Sequence, residues 1–194
     1  MSGQTTFRQL IGVPSHTSIS PSDSVLLIID AQNEYAEGKL KVKNVDTSRA
    51  VIADLLKKYR TAKSDIIHIV HDTPDGAPVF TPGTSLPEIF AELTPQANEE
   101  VIHKKFPSSF TGTNLQTSLE KIGKKQIALC GYMAHVCVTG TARSGMEHGY
   151  DVVVVKDAVG DRDIPGAKGE ELVNIVMTEL NDAIATIVEN KDVK

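Results

Sequence analysis

Val25-Leu26-Leu27-Ile28-Ile29 is an unbroken apolar run that stops at Asp30 and gives way to polar Gln32, Asn33 and Glu34. Successive side chains of a strand point to opposite faces, so a run with no polar position must be covered on both. A parallel sheet sandwiched between helices supplies that cover. The same signature returns at Ile66-Ile67-His68-Ile69-Val70, more briefly at Val101-Ile102 ending near Lys104, and at Gln126–Cys130 closed by Gly131. It returns again at the wholly β-branched Val152–Val155 and at Ala185–Val188. Helical spacing fills the intervals: Ala50, Val51, Ala53, Leu55, Leu56 and Tyr59 mark Thr47–Arg60, and Leu115–Ile122 stops at Gly123. Val136–His148 closes at Gly149, and Glu170–Leu180 follows. Pro74, Gly76, Pro78, Pro82 and Gly83 make His71–Gly83 a loop, and Pro87–Leu93 reads as a short helix. Strand and helix alternation with right-handed crossovers predicts a three-layer α/β/α sandwich around a six-stranded parallel sheet. Its functional loops gather at the carboxyl edge of the strands.

Composition removes several function classes. The chain has 194 residues, 40% hydrophobic and 23% charged, which suits one globular domain. Residues 1–24, rich in Ser, Thr, Gly and Pro, read as an irregular N-terminal arm, and 25–194 as a single domain. A net charge of −5 with no dense basic run argues against nucleic acid as a partner, and no apolar run is long enough for a membrane span. The first twenty residues lack the basic start and apolar stretch of a secretory signal. Two cysteines are too few for a disulfide framework, so a cytoplasmic, reducing compartment is expected.

Three reactive side chains fall at the carboxyl edge. Asp30 ends the first strand, Lys104 ends the third, and Cys137 opens the helix after the fourth. With strand order 3-2-1-4-5-6, Asp30 and Cys137 are neighbours at the switch point, and Lys104 lies two strands from Asp30. That is roughly 10 Å, within reach of a lysine and its loop. A helix N-terminus and a nearby ammonium are expected to lower the thiol pKa. Asp30 would carry the proton, and backbone N–H groups around Met133 and Cys137 would hold an oxyanion. Position alone leaves plainer roles open: Asp30 as a loop or helix cap, Lys104 as a solvated charge with Lys105 as its competitor, Cys137 as core. Cys130 and His68, both inside strands, are read as core.

The motifs around these residues carry a resemblance. Leu27-Ile28-Ile29-Asp30-Ala31-Gln32-Asn33 resembles the first-strand signature of the isochorismatase-like cysteine hydrolase superfamily. Lys104-Lys105-Phe106-Pro107-Ser108-Ser109-Phe110 continuing to Leu115 is similar to its lysine motif, whose lysine stands six places before the Phe and so selects Lys104. Gly131-Tyr132-Met133-Ala134-His135-Val136-Cys137-Val138 is similar to its nucleophile block.

The resemblance implies a Cys–Asp–Lys triad of Cys137, Asp30 and Lys104, and a non-proline cis peptide at Tyr132–Met133. It implies an oxyanion hole from the Met133 and Cys137 N–H groups, and a homodimer or homotetramer. Gln32, Tyr35, Phe106, Phe110 and Ala134 are the residues expected around the substrate, with the loop from Pro78 to Thr84. Relatives that are nicotinamidases bind a metal through Asp-x-His after the second strand. Here His71-Asp72-Thr73 departs from that pattern, so no metal and no other cofactor is expected. Relatives that cleave the vinyl ether of isochorismate often lack the cysteine. Retention of Cys137 therefore points to C–N hydrolysis of a small amide, ureido or carbamoyl compound. Ether hydrolysis, or a binding protein without turnover, are the alternatives.

Overall fold

The computed structural model describes residues 4–194. Six strands form one sheet: β1 (Ser24–Ile29), β2 (Ile66–His71), β3 (Glu100–Lys104), β4 (Gln126–Gly131), β5 (Asp151–Val159) and β6 (Thr186–Val188). Their order is β3-β2-β1-β4-β5-β6, and every pairing is parallel. The order turns over at β1 and β4, which puts a crevice beside their carboxyl ends.

Alternation along β1 divides the core. Leu26 and Ile28 face α3 (Val45–Thr61), packing on Ile52, Leu55, Leu56 and Tyr59. Val25, Leu27 and Ile29 belong to the opposite cluster, with Leu115 and Leu119 of α4 (Leu115–Ile122), Ala142 of α5 (Thr139–Glu147) and Met177 and Leu180 of α6 (Gly169–Ala183). All six β1 side chains are buried, which is why that strand carries no polar residue but its first.

Four elements differ from the sequence expectation. The segment before β1 contains a one-turn helix, α1 (Phe7–Leu10), capped by Thr6 and Gln9, and a second short helix, α2 (Glu34–Glu37), follows Asp30. Pro87–Leu93 yields only a 3-10 turn at Ala91–Leu93. The helix expected from Val136 starts as a π turn, Ala134–Val138, before α5 takes over. Helices of one turn carry too little periodicity to stand out from loop. Among the described residues no helix is long and apolar enough to cross a membrane.

Candidate active site

Asp30 directly follows β1, β2 and β3 end in His71 and Lys104, and the turn after β4 adds Cys137. The backbone at Asp30 turns sharply, with φ at +50°; its N–H donates to Ile69 O at 3.0 Å and its carbonyl accepts from Gln32 N at 2.8 Å. Asp tolerates this left-handed region better than most residues, and the turn lifts its carboxylate off the strand end. Gly131 ends β4 at φ +113°, where a Cβ would run into Ile29 O. Only glycine lets β4 lie this close to β1 there. Tyr132 N–H then donates to Ile29 O at 2.9 Å, and the Tyr132–Met133 peptide is cis.

The π turn that presents Cys137 is fastened from outside. Buried Asp161, just past β5, accepts from His135 N at 3.0 Å and from His135 Nδ1 at 2.6 Å. Ala134 N–H donates to Gly160 O at 3.0 Å, and Val138 N–H to Met133 O at 3.1 Å. Among the described residues the Met133 N–H donates to nothing, the condition of a donor left for a ligand oxygen. The lysine loop docks on α5 through Ser109 N–H to Thr141 Oγ1 at 3.0 Å and Ser108 to Ser144 at 2.8 Å.

Lys104 crosses over the end of β2 to the centre of the group. Its Nζ lies 2.7 Å from Asp30 Oδ2 and 3.3 Å from Cys137 Sγ. It also lies 3.2 Å from His71 Nδ1 and 3.2 Å from Phe106 O. Asp30 and Lys104 are fully buried and Cys137 is 4% exposed. The lysine contact on Asp30 is an ion pair; neither carboxylate oxygen receives a well-directed hydrogen bond, so both are left able to handle a proton.

Burial sets the protonation of the group. It raises Asp30 above the usual carboxylate range, against the opposing pull of Lys104. It also pushes the Cys137 thiol up to about 12, helped by the Asp30 charge and resisted by Lys104. The thiol is thus not depressed as the sequence suggested: loss of solvent outweighs one ammonium. The resting site holds a protonated thiol beside a carboxylate of raised basicity. His71 is lowered to about 4, first by burial and then by the Lys104 charge, with Asp72 opposing. Its imidazole is neutral at ordinary pH and accepts from the lysine.

The residues expected around the substrate separate. Tyr35 is buried near the group: burial and then the charges of Asp30 and Cys137 raise its pKa well above the phenol range, and its ring lies 5.3 Å from both Phe80 and Tyr132. Phe106 is half-exposed and lends its carbonyl to Lys104. Ala134 is buried in the π turn. Gln32 is wholly occupied by backbone, donating to His71 O and Pro87 O and accepting from His71 N at 2.9 Å. Phe110 stacks on His148 at 4.7 Å, at the C-terminal end of α5, and belongs to the same buried cluster as Cys137.

Sequence reasoning passed over His71 as a partner of Lys104, although it ends β2 as Lys104 ends β3 and the two are paired in register. It also passed over Glu34, whose buried carboxylate accepts from Leu40 N and Phe80 N and fixes the loop above the site. Phe80, 5.2 Å from His71, separates the group from an open depression of about 880 Å³ lined by Asp72, Pro82, Glu88 and Lys105 among others. The residues do not fit a metal: among those described no three His, Cys, Asp or Glu side chains converge, and His71 already faces an ammonium.

Residues 24–191 match the isochorismatase domain family. A protein of Verticillium dahliae named secreted isochorismatase effector is 57% identical over 97% of this chain and 99% of its own. Nicotinamidase 3 of Arabidopsis thaliana is 30% identical over 70% of this chain and 72% of its own. The crystal structure of an isochorismatase from Pseudomonas putida superposes with a TM-score of 0.94 at 31% identity, covering 99% of this chain and all of that one.

Proposed function

The chain belongs to the isochorismatase family of hydrolases, and from that premise we propose that it hydrolyses the C–N bond of a small amide, ureido or carbamoyl substrate through Cys137, Asp30 and Lys104. One observation carries the reading: a single buried ammonium stands 2.7 Å from a carboxylate and 3.3 Å from a thiol. Substrate entry brings the carbonyl carbon to Sγ while Asp30 takes the thiol proton. The raised basicity of Asp30 narrows the gap to the thiol. Sγ bonds to the carbonyl carbon, and the resulting oxyanion faces the Met133 and Cys137 N–H groups. The C–N bond breaks as Asp30 returns its proton to the leaving nitrogen. A water then loses its proton to Asp30, adds to the thioester carbon, and the acid leaves as the thiol is restored. Lys104 stays charged throughout and balances whichever neighbour is anionic.

A second reading has support of its own. A carboxyl group raised by burial is a fit general acid for a vinyl ether carbon, and the 57% identical fungal relative bears an isochorismatase name. The two readings part at the thiol. Ammonia release across a panel of small amides and ureides, together with isochorismate hydrolysis, is measured for wild type, Cys137→Ala and Asp30→Asn. C–N hydrolysis through Cys137 requires that Cys137→Ala lose at least about 10³-fold; retained activity in that variant, with loss in Asp30→Asn, selects the ether reading.

We also propose a reducing compartment, in keeping with only two cysteines in 194 residues, and a homodimer or homotetramer, as the family resemblance implies. Fractionation of producing cells against their medium, and light scattering, test these points.

A further inference from the structure

We propose that Phe80 is a specificity-determining residue for the reaction at Cys137: its ring partitions the buried group from the open depression, and its bulk limits the substrate to one small enough to pass it. The proposal rests on the triad reading above. With Asp30 and Lys104 fully buried and Cys137 4% exposed, the group needs a route to solvent, and the chain shows where it lies. Lys105, next after Lys104, and Asp72, next after His71, both line the depression of about 880 Å³. The Asp72 N–H donates to Lys104 O at 2.8 Å, which ties the two strand ends together. Two strands therefore end with one residue in the group and the following one in the depression. Phe80 stands on that boundary. It lines the depression, and its ring packs at 5.2 Å on His71 and, edge-on, at 5.3 Å on Tyr35.

Phe80 is held in that place by more than packing. Of residues 72–89 it alone is buried, so the long loop over the site turns a single side chain inward. Its φ is +46°, a left-handed backbone that bulky side chains rarely adopt. Its N–H donates to buried Glu34 Oε2 at 2.9 Å, and its carbonyl accepts from Thr73 Oγ1 at 3.0 Å. A costly backbone conformation, fixed by two hydrogen bonds, aims the ring at the group instead of at solvent.

Alkylation rates at Cys137, read by peptide mass spectrometry above neutral pH, test this without a substrate. Iodoacetamide is the small probe and N-phenylmaleimide the bulky one. Cys130, wholly buried within β4, reports any general loosening of the fold. In Phe80→Ala the bulky reagent should gain about tenfold over wild type and iodoacetamide about twofold, with Cys130 still unreacted. Phe80→Leu should shift the same way by less, and it serves if Phe80→Ala does not fold. Phe106→Ala, which removes the half-exposed ring beside the site, should keep the wild-type ratio. No gain for the bulky reagent in either Phe80 variant overturns the proposal. So do equal gains for both reagents, reaction of Cys130 alongside Cys137, or a gain in Phe106→Ala alone. On the amide panel Phe80→Ala should extend turnover to larger amides, and an unextended range overturns the proposal. If the alkylation rates behave as stated while no amide of any size is turned over, by wild type or variant, the C–N reading fails and the partition stands.

Discussion

At the residue scale the site is governed by loss of solvent more than by any pair of charges. Asp30, Lys104 and Cys137 are all but sealed off, and both acids move toward their protonated forms. The sign matters for reactivity. A thiol pushed up to about 12 holds little thiolate at neutral pH, so wild-type Cys137 should alkylate more slowly than a free cysteine and accelerate as pH climbs toward that value. A fast neutral reaction would mean that Lys104 wins over burial. Lys104→Met removes the one cation shared by thiol and carboxylate, and kcat/KM should fall at least about 10³-fold with the fold retained by circular dichroism. The meeting of Asp30, Lys104 and Cys137 was legible in sequence because each ends or follows a strand or opens the next turn, where topology brings side chains together. Their protonation was not legible, because burial depends on loops 72–90 and on α2, whose packing no periodicity announces.

At the element scale, the strand ends work only if the sheet edge is held in register. Gly131 is the tightest point, and Gly131→Ala should lower unfolding free energy by about 3 kcal/mol or more, since a Cβ meets Ile29 O and φ is positive; urea titration reads it. A second brace lies at the other end of β2 and β3. Glu99 receives both arms of Arg60, at 2.7 and 2.9 Å, and faces His68 Nε2 at 2.9 Å. Burial pushes its carboxyl up, yet Arg60, the Gln96 N–H and His68 together bring it down to about 2. A depressed carboxyl stabilises the fold above its unfolded value near 4.5, and that contribution is lost as pH falls toward about 2. Glu99→Gln should therefore cost about 3 kcal/mol at neutral pH, with the deficit against wild type vanishing in strong acid. A deficit independent of pH would assign Glu99 a packing role only. Reading His68 as core was sound as far as it went: it is buried, but it also ties β2 to the 94–99 turn, a partner no local pattern identifies.

At the scale of the whole molecule, the alternation of strand and helix was enough to set the sheet, and the order β3-β2-β1-β4-β5-β6 then decides which residues can meet. The N-terminal segment lies outside that logic. Arg8 of α1 is buried and donates to Thr186 Oγ1 at 3.0 Å and Pro14 O at 3.1 Å, Phe7 N–H donates to Asp182, and His16 pairs with Asp151 at 2.6 Å. These contacts fasten the segment over β5, β6 and the end of α6, on the far side of the sheet from β3. Nothing in its composition signalled this, since one buried arginine in a Ser- and Pro-rich stretch reads as solvated until its partners from the other end of the chain are known. From these contacts the segment is predicted to serve stability and not turnover. Deleting residues through His16 should lower the melting temperature by several degrees, as loss of about 2 kcal/mol does in a domain of this size. On any substrate the enzyme accepts, kcat should stay within about twofold of wild type. A collapse of kcat with an unchanged melting temperature would instead make the segment part of a neighbouring subunit's site, and light scattering on the same deletion separates that case from simple unfolding.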